Sequence, residues 1–168
     1  MDDPERWLWL ARAPGLHAGQ LQEWLAQGAS PLDLTRETHS ALAAIGLGQP
    51  AIRALLEPDG AGIESDRRWL HAAANRKLVT WGSAEYPPLL AQIPDAPLVL
   101  YVAGDPMALC LPQLAIVGSR NPTALGRDTA TQFAQHLAQA GLVITSGLAL
   151  GIDAAAHRGA LSADARTV

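Results

Sequence analysis

The sequence predicts an α/β chain, a small all-α module followed by a parallel α/β unit. Three observations predict it. Up to about residue 75, short apolar-periodic segments are punctuated by proline and glycine. Further on, two continuous apolar runs, Leu114-Ala115-Ile116-Val117 and Leu142-Val143-Ile144-Thr145, flank one long amphipathic segment. Each run is followed at once by a glycine loop and a helical stretch, the order that builds a right-handed parallel sheet. The domains divide accordingly into 1–75 and 76–168.

In the first part, Glu5–Ala13 reads as a helix stopped by Pro14-Gly15. His17–Gln27 reads as another ended by Gly28, with Leu21, Trp24 and Leu25 on one face. Thr38–Ile45 and Pro50–Glu57 are two further helices around Gly46-Leu47-Gly48, with Pro50 suited to a first turn. Ser65 is placed to cap a fifth helix that runs to about Asn75. Trp7 and Trp9 point to nearly opposite sides of the first helix; exposure of one of them for base stacking or a protein contact is the alternative, and partial core burial is the preferred reading. Pro14–Gly19 and Ile45–Gly48 each resemble part of a helix-hairpin-helix glycine turn, a place where backbone amides can meet phosphate. A tight connection in a helical bundle is the preferred reading, because residues 1–75 carry six basic against ten acidic side chains.

The second part carries six of each. Leu78–Trp81 and Leu98–Val102 are short strands with a helical turn from Tyr86 to Ile93 between them. Leu114–Val117 is expected to be a strand covered on both faces. A helix from about Leu125 to Ala140 follows, with Ala130, Phe133, Ala134, Leu137 and Ala138 as its apolar stripe and Gly141 as its stop. Leu142–Thr145 is the next buried strand, a helix from Gly151 to Leu161 comes after it, and Arg166-Thr167-Val168 looks like the start of a third parallel strand. A doubly wound sheet normally has five or six strands, so the chain is expected to stop inside its own domain. The strand edge left open is expected to pair with the rest of that domain or with another copy.

Composition narrows the function classes. Twelve basic and 16 acidic residues give a net charge of −4 over 168 residues, against a general polyelectrolyte binder but not against a local basic pocket. The single cysteine, Cys110, excludes an internal disulfide or a thiolate zinc site, and is expected to pack as a small buried hydrophobe. No apolar run approaches the roughly 20 residues that span a bilayer, and the start, Met1-Asp2-Asp3-Pro4-Glu5, is acidic. A soluble cytoplasmic protein with no membrane contact is the expectation.

The chemistry concentrates in two loops at the carboxyl ends of the parallel strands, where ligands bind in open α/β sheets. They are Gly118-Ser119-Arg120-Asn121-Pro122-Thr123 and Ser146-Gly147-Leu148-Ala149-Leu150-Gly151-Ile152-Asp153. Gly118 and Gly147 permit close approach of a ligand, Ser119 and Ser146 offer hydroxyls, the helix starts offer amides, and Arg120 has a fork matched to phosphate. The set specifies an anion site. Neither G-x-G-x-x-G nor G-x-x-x-x-G-K-[ST] is present, and Thr145-Ser146 stand where a ribose-binding acid belongs, so nicotinamide and ATP chemistry are disfavoured. Arg120 has a second reading, a structural arginine neutralised by Asp153 or another carboxylate; its place after a strand-end glycine favours the clamp. Asp153 reads as a helix N-terminal charge and His157 as a packing residue. Without a nucleophile or a metal-ligand spacing beside them, catalysis has little support. A nucleotide or sugar-phosphate hydrolase using the same loops is the alternative.

Ala115-Ile116-Val117-Gly118-Ser119-Arg120 with Gly126, and Thr145-Ser146-Gly147-Leu148-Ala149-Leu150-Gly151-Ile152-Asp153-Ala154-Ala155-Ala156-His157, resemble the DNA-processing protein A (DprA/Smf) family. Tyr86-Pro87-Pro88-Leu89-Leu90, Ile93–Pro97 and Leu100–Asp105 resemble the same family's lead-in. The resemblance implies a sterile-alpha-motif-like helical module and a Rossmann-like domain, of which this chain holds the first part. It implies a non-enzymatic protein without cofactor or metal that binds and protects single-stranded DNA and loads the recombinase RecA during natural transformation. It also implies a homodimer in the full-length protein. Carried over by position, Arg120 is the phosphate clamp, with Gly118, Ser119, Ser146, Gly147 and Gly151 around it.

Overall fold

The computed structural model describes residues 3–168, so the first two residues of the acidic start lie outside it. The fold is mixed α/β, helical first and then strands that include a parallel set, as the sequence predicts. The chain divides into two compact units between Pro106 and Met107. The helical part therefore shares its unit with the first two strands, and the change of secondary structure near residue 75 is not the boundary between the compact units.

The first unit contains α1 (Asp3–Ala11), α2 (Gln22–Ala26), α3 (His39–Ala44), α4 (Gln49–Leu56), α5 (Gly60–His71) and an antiparallel pair, β1 (Arg76–Thr80) with β2 (Val99–Ala103). Its core is made of large aliphatic side chains: Leu10, Leu21, Leu34, Leu42, Ile52 and Leu55 are all at most 2% exposed. Trp7 packs against this core and the Trp9 indole donates to the Ala54 carbonyl at 2.8 Å, so both are partly buried.

Three local expectations need correction. The segment read as one helix from His17 to Gln27 begins as a 3-10 helix, Ala18–Leu21, before α2. Gly19 lies so close to the Pro94 carbonyl that no Cβ fits there, and the Ala18 amide donates to Ala96 at 2.8 Å. Those two contacts hold the first turn out of α geometry. A second 3-10 segment, Pro31–Arg36, is fixed by a reciprocal cap between Ser30 and Asp33 that the sequence reading passed over. The last helix of the unit starts at Gly60, not Ser65, because Asp59 is the cap and accepts from the Gly62 amide at 3.0 Å. Two glycines in its first turn look like loop. Gly62 is there because the Arg12 guanidinium occupies the space of a side chain.

The second unit contains β3 (Gln113–Ala115), α6 (Ala124–Gln139), β4 (Val143–Thr145) and α7 (Ile152–Ser162). β3 and β4 are parallel, with Leu114 opposite Ile144. Val168 donates to Ile144 and accepts from the Ser146 amide, so 166–168 pair parallel to the other side of β4. β4 is thus the central strand, with Val143 and Ile144 buried. Of the strands described, β3 pairs on one side only, with β4, and its three residues are exposed, where the sequence predicts a strand covered on both faces. α6 and α7 meet through small residues: Ala130, Ala134 and Ala138 face Ala155, Ala156, Gly159 and Ala160. At Gly159 even a methyl group would strike the Thr131 carbonyl and, at 2.8 Å, the Ala134 methyl. Phe133, expected on the apolar stripe, is 64% exposed, because it sits about 100° around the helix from Ala134 on the far flank of that narrow contact. Cys110 is half-buried rather than fully packed.

Candidate functional site: the paired glycine loops

Both loops stand at the carboxyl ends of β3 and β4 and are locked to each other by backbone contacts. The Ile152 amide, first of α7, donates to the Ser119 carbonyl at 3.1 Å. Gly118 lies against the Ile152 side chain, where an added Cβ would sit 2.9 Å from Cγ1. Gly151 has φ +89° and ψ −124°, a conformation open essentially to glycine, and a Cβ there would collide with the Ser119 carbonyl oxygen. These glycines therefore bring two turns into direct contact.

The polar groups divide between those used internally and those left outward. The Ser146 hydroxyl donates to the Ile116 carbonyl at 2.6 Å, tying the end of β4 to that of β3. The Gly147 amide donates to Asp153 Oδ2 at 3.1 Å, and Asp153 is buried. Ser146 and Gly147 thus shape the loops and have no donor to spare at those atoms. Ser119 is exposed and its oxygen accepts from the Asn121 amide at 3.1 Å, which leaves its own proton available. Arg120 is exposed and makes no hydrogen bond, ion pair or ring contact among the described residues. Asp153 does not neutralise it. Leu148, next to Gly147, holds φ 54° with its side chain 81% exposed, an uncommon conformation for leucine of the kind that gathers at functional loops.

The sequence reading of His157 as a packing residue acquires a partner. Thr167 donates its hydroxyl to the Ile144 carbonyl at 2.6 Å, so its oxygen accepts from His157 Nδ1 at 2.7 Å, and His157 pins the 166–168 segment to β4. No spacing rule relates positions 157, 167 and 144, and only the parallel pairing brings them together. Nor does any motif announce that Asp153 reaches back to Gly147. The glycine turn Ile45–Gly48 is a helix connection: Gly46 takes φ +88°, Leu47 is buried, and Gly48 begins α4. Among the described residues no group of His, Cys, Asp and Glu is placed to hold a metal ion, and no helix is long and apolar enough to cross a membrane.

Comparison with known proteins fits this geometry. A family model described as DNA recombination-mediator protein A matches residues 77–168. Protein Smf of Escherichia coli is 36% identical over 164 residues, 96% of this chain and 42% of its own length. DNA processing protein DprA of Bacillus subtilis is 40% identical over 87 residues, 51% of this chain and 29% of its own. The X-ray structure of DprA from Streptococcus pneumoniae superposes with a TM-score of 0.72 at 26% identity, covering 99% of this chain and 57% of that one. The chain thus spans about half the length of the relatives it matches, or less. With both glycine loops inside the matched region, the chain belongs to the DNA recombination-mediator protein A (DprA/Smf) family.

Proposed function

We propose that this chain carries the phosphate-binding part of a single-stranded-DNA-binding protein, one that protects strands during natural transformation and hands them to the recombinase RecA in the cytoplasm. The observation that carries the reading is Arg120: an exposed guanidinium without an internal partner, on a turn held rigid by Gly118, Gly151 and the Ile152–Ser119 hydrogen bond. A guanidinium fork reads a phosphodiester oxygen pair, and the neighbouring Ser119 hydroxyl adds a neutral donor. Gly118, Gly151, Ser146 and Gly147 set the close approach and the loop shape. The action proposed is binding without cutting, since the buried Asp153 is spent on a backbone amide and His157 on Thr167.

One clamp gives weak binding with a shallow salt dependence, about 0.7 in log–log slope per phosphate contact on single strands. High affinity then requires repetition, as in a homodimer of the longer protein or several protomers along one strand. Residues 1–75, which share their compact unit with β1 and β2, are proposed to have a role of their own, such as partner docking. The test is competition: labelled oligothymidylate bound to the wild-type chain and to Arg120→Ala, displaced by unlabelled oligonucleotide or mononucleotide. The long competitor displaces far better at equal phosphate concentration, and Arg120→Ala loses most binding. Equal displacement by the mononucleotide would instead favour a nucleotide-processing enzyme.

A further inference from the structure

The chain is acidic overall, yet residues 67–84 contain no Asp or Glu and carry Arg67, Arg68, Arg76 and Lys77 together with His71; of these Lys77 is spent on Glu85 at 2.8 Å. Arg67, Arg68 and His71 follow one another at i, i+1 and i+4 on α5, and with Glu64 and Ala72 they line a shallow depression of about 420 Å³. The ordinary explanation is that basic residues near a helix C-terminus offset its negative dipole end. Here that work is done by another residue. Arg76 donates from Nη1 to the Trp69 carbonyl at 3.0 Å and lies 4.9 Å over the Trp69 ring. Arg12, reaching over from the end of α1, pairs with Asp66 within α5 and with Asp59 at its N-terminus. Of the depression's own groups, Arg67 pairs with Glu64, while Arg68 is exposed with no ion pair among the described residues. More positive charge is therefore gathered on this face than the fold uses.

We infer that the C-terminal face of α5 is a second seat for the phosphodiester backbone of a single-stranded nucleic acid, distinct from the glycine loops. The three side chains rise along about 6 Å of helix, the reach of one or two successive phosphates. Three contacts fall well short of the roughly 6–10 that a typical duplex binder makes, which is why a single strand is the committed ligand. Glu64 sets the limit on affinity, because a phosphate must compete with it for Arg67.

The inference does not depend on the glycine-loop reading, and its test keeps the two apart. Oligothymidylate affinity is measured by fluorescence anisotropy across a salt series for the full chain, Arg120→Ala, Arg67→Ala/Arg68→Ala, Arg67→Lys/Arg68→Lys and Glu64→Gln, with oligouridylate as a parallel ligand. Removing both arginines lowers the salt slope by about 1.4 and affinity by about tenfold at 0.1 M salt, whatever Arg120→Ala does. The lysine pair retains the slope, since charge and not fork geometry carries it, and Glu64→Gln tightens binding about twofold. In nuclear magnetic resonance titrations the backbone amides of residues 64–72 shift with the strand. An alanine pair with unchanged affinity and slope, unmoved amides at 64–72, or no binding by the wild-type chain each overturns the inference. Loss with Arg120→Ala but not with the alanine pair leaves the glycine-loop seat standing and removes this one.

Discussion

Each of the two compact units has its own kind of internal contact. The first fills its interior with leucine and isoleucine and ties two of its arginines internally: Arg6 donates to Thr35 and to the Leu32 carbonyl, and Arg12 bridges Asp59 and Asp66, while Arg68 is left exposed without an ion pair among the described residues. The second brings backbones together through alanine and glycine, and leaves Arg120 without an internal partner. Buried volume stabilises the first. Close approach positions the second, and the same close approach that packs Gly159 on α6 packs Gly151 on the Arg120 turn.

Perturbing each unit separately tests this contrast. The largest effect belongs to the aliphatic core: Leu42→Ala should cost about 3–5 kcal/mol, the usual range for a fully buried leucine. All five tryptophans lie in the first unit, so loss of tryptophan emission in denaturant reads that unit alone. Next is the helix contact of the second unit. Gly159→Ala should destabilise by about 1–3 kcal/mol through overpacking, seen as faster amide exchange in α6 and α7 with the tryptophan transition unmoved. A tryptophan midpoint that moves with Gly159→Ala would break the contrast.

The two units' arginines sharpen it further. Arg6→Ala removes the two guanidinium bonds to the Leu32 carbonyl and the Thr35 hydroxyl, which keep only the bond between themselves, and should cost about 1–3 kcal/mol, whereas Arg120→Ala should stay within about 0.5 kcal/mol, both by denaturant titration. The smallest effect is a pH dependence in the first unit. Tyr101 is pushed upward by burial, and then by the hydrogen bond its hydroxyl donates to Asp66 at 2.9 Å. A tyrosine raised in the folded state contributes stability that is complete below its ordinary value near pH 10 and fades as pH rises beyond it. Tyr101→Phe should flatten that alkaline decline in a thermal melt series.

Much of this arrangement was legible in the residues. Pro50 sits in the first turn of α4, and Gly141 closes α6 with φ +93°. First-turn proline and glycine stop signals are local, so sequence shows them. What sequence hid depends on tertiary contact. Asp59 caps a helix that two glycines disguise, and Gly62 is explained only by Arg12 arriving from α1. Leu114–Val117 has the composition of a covered strand, yet in this chain Gln113–Ala115 is exposed and pairs on one side only, and pairing depends on other strands rather than on composition. At the candidate site, the glycine spacing marked the two turns and the exposed Arg120. It did not reveal that Ser146 and Gly147 turn their donors inward to Ile116 and Asp153. A hydroxyl or amide in a loop reads alike in sequence whichever way it faces.

The central claim is that the Arg120 turn receives a DNA phosphate. The most direct measurement is a nuclear magnetic resonance titration of the isotope-labelled chain with oligothymidylate, following the backbone amides of Gly118, Ser119 and Arg120 and the Arg120 Nε–H. Saturable shifts are expected at all four, and in Arg120→Ala those of the three backbone amides vanish at matched DNA concentration. Resonances that stay fixed there while the strand binds elsewhere would contradict it.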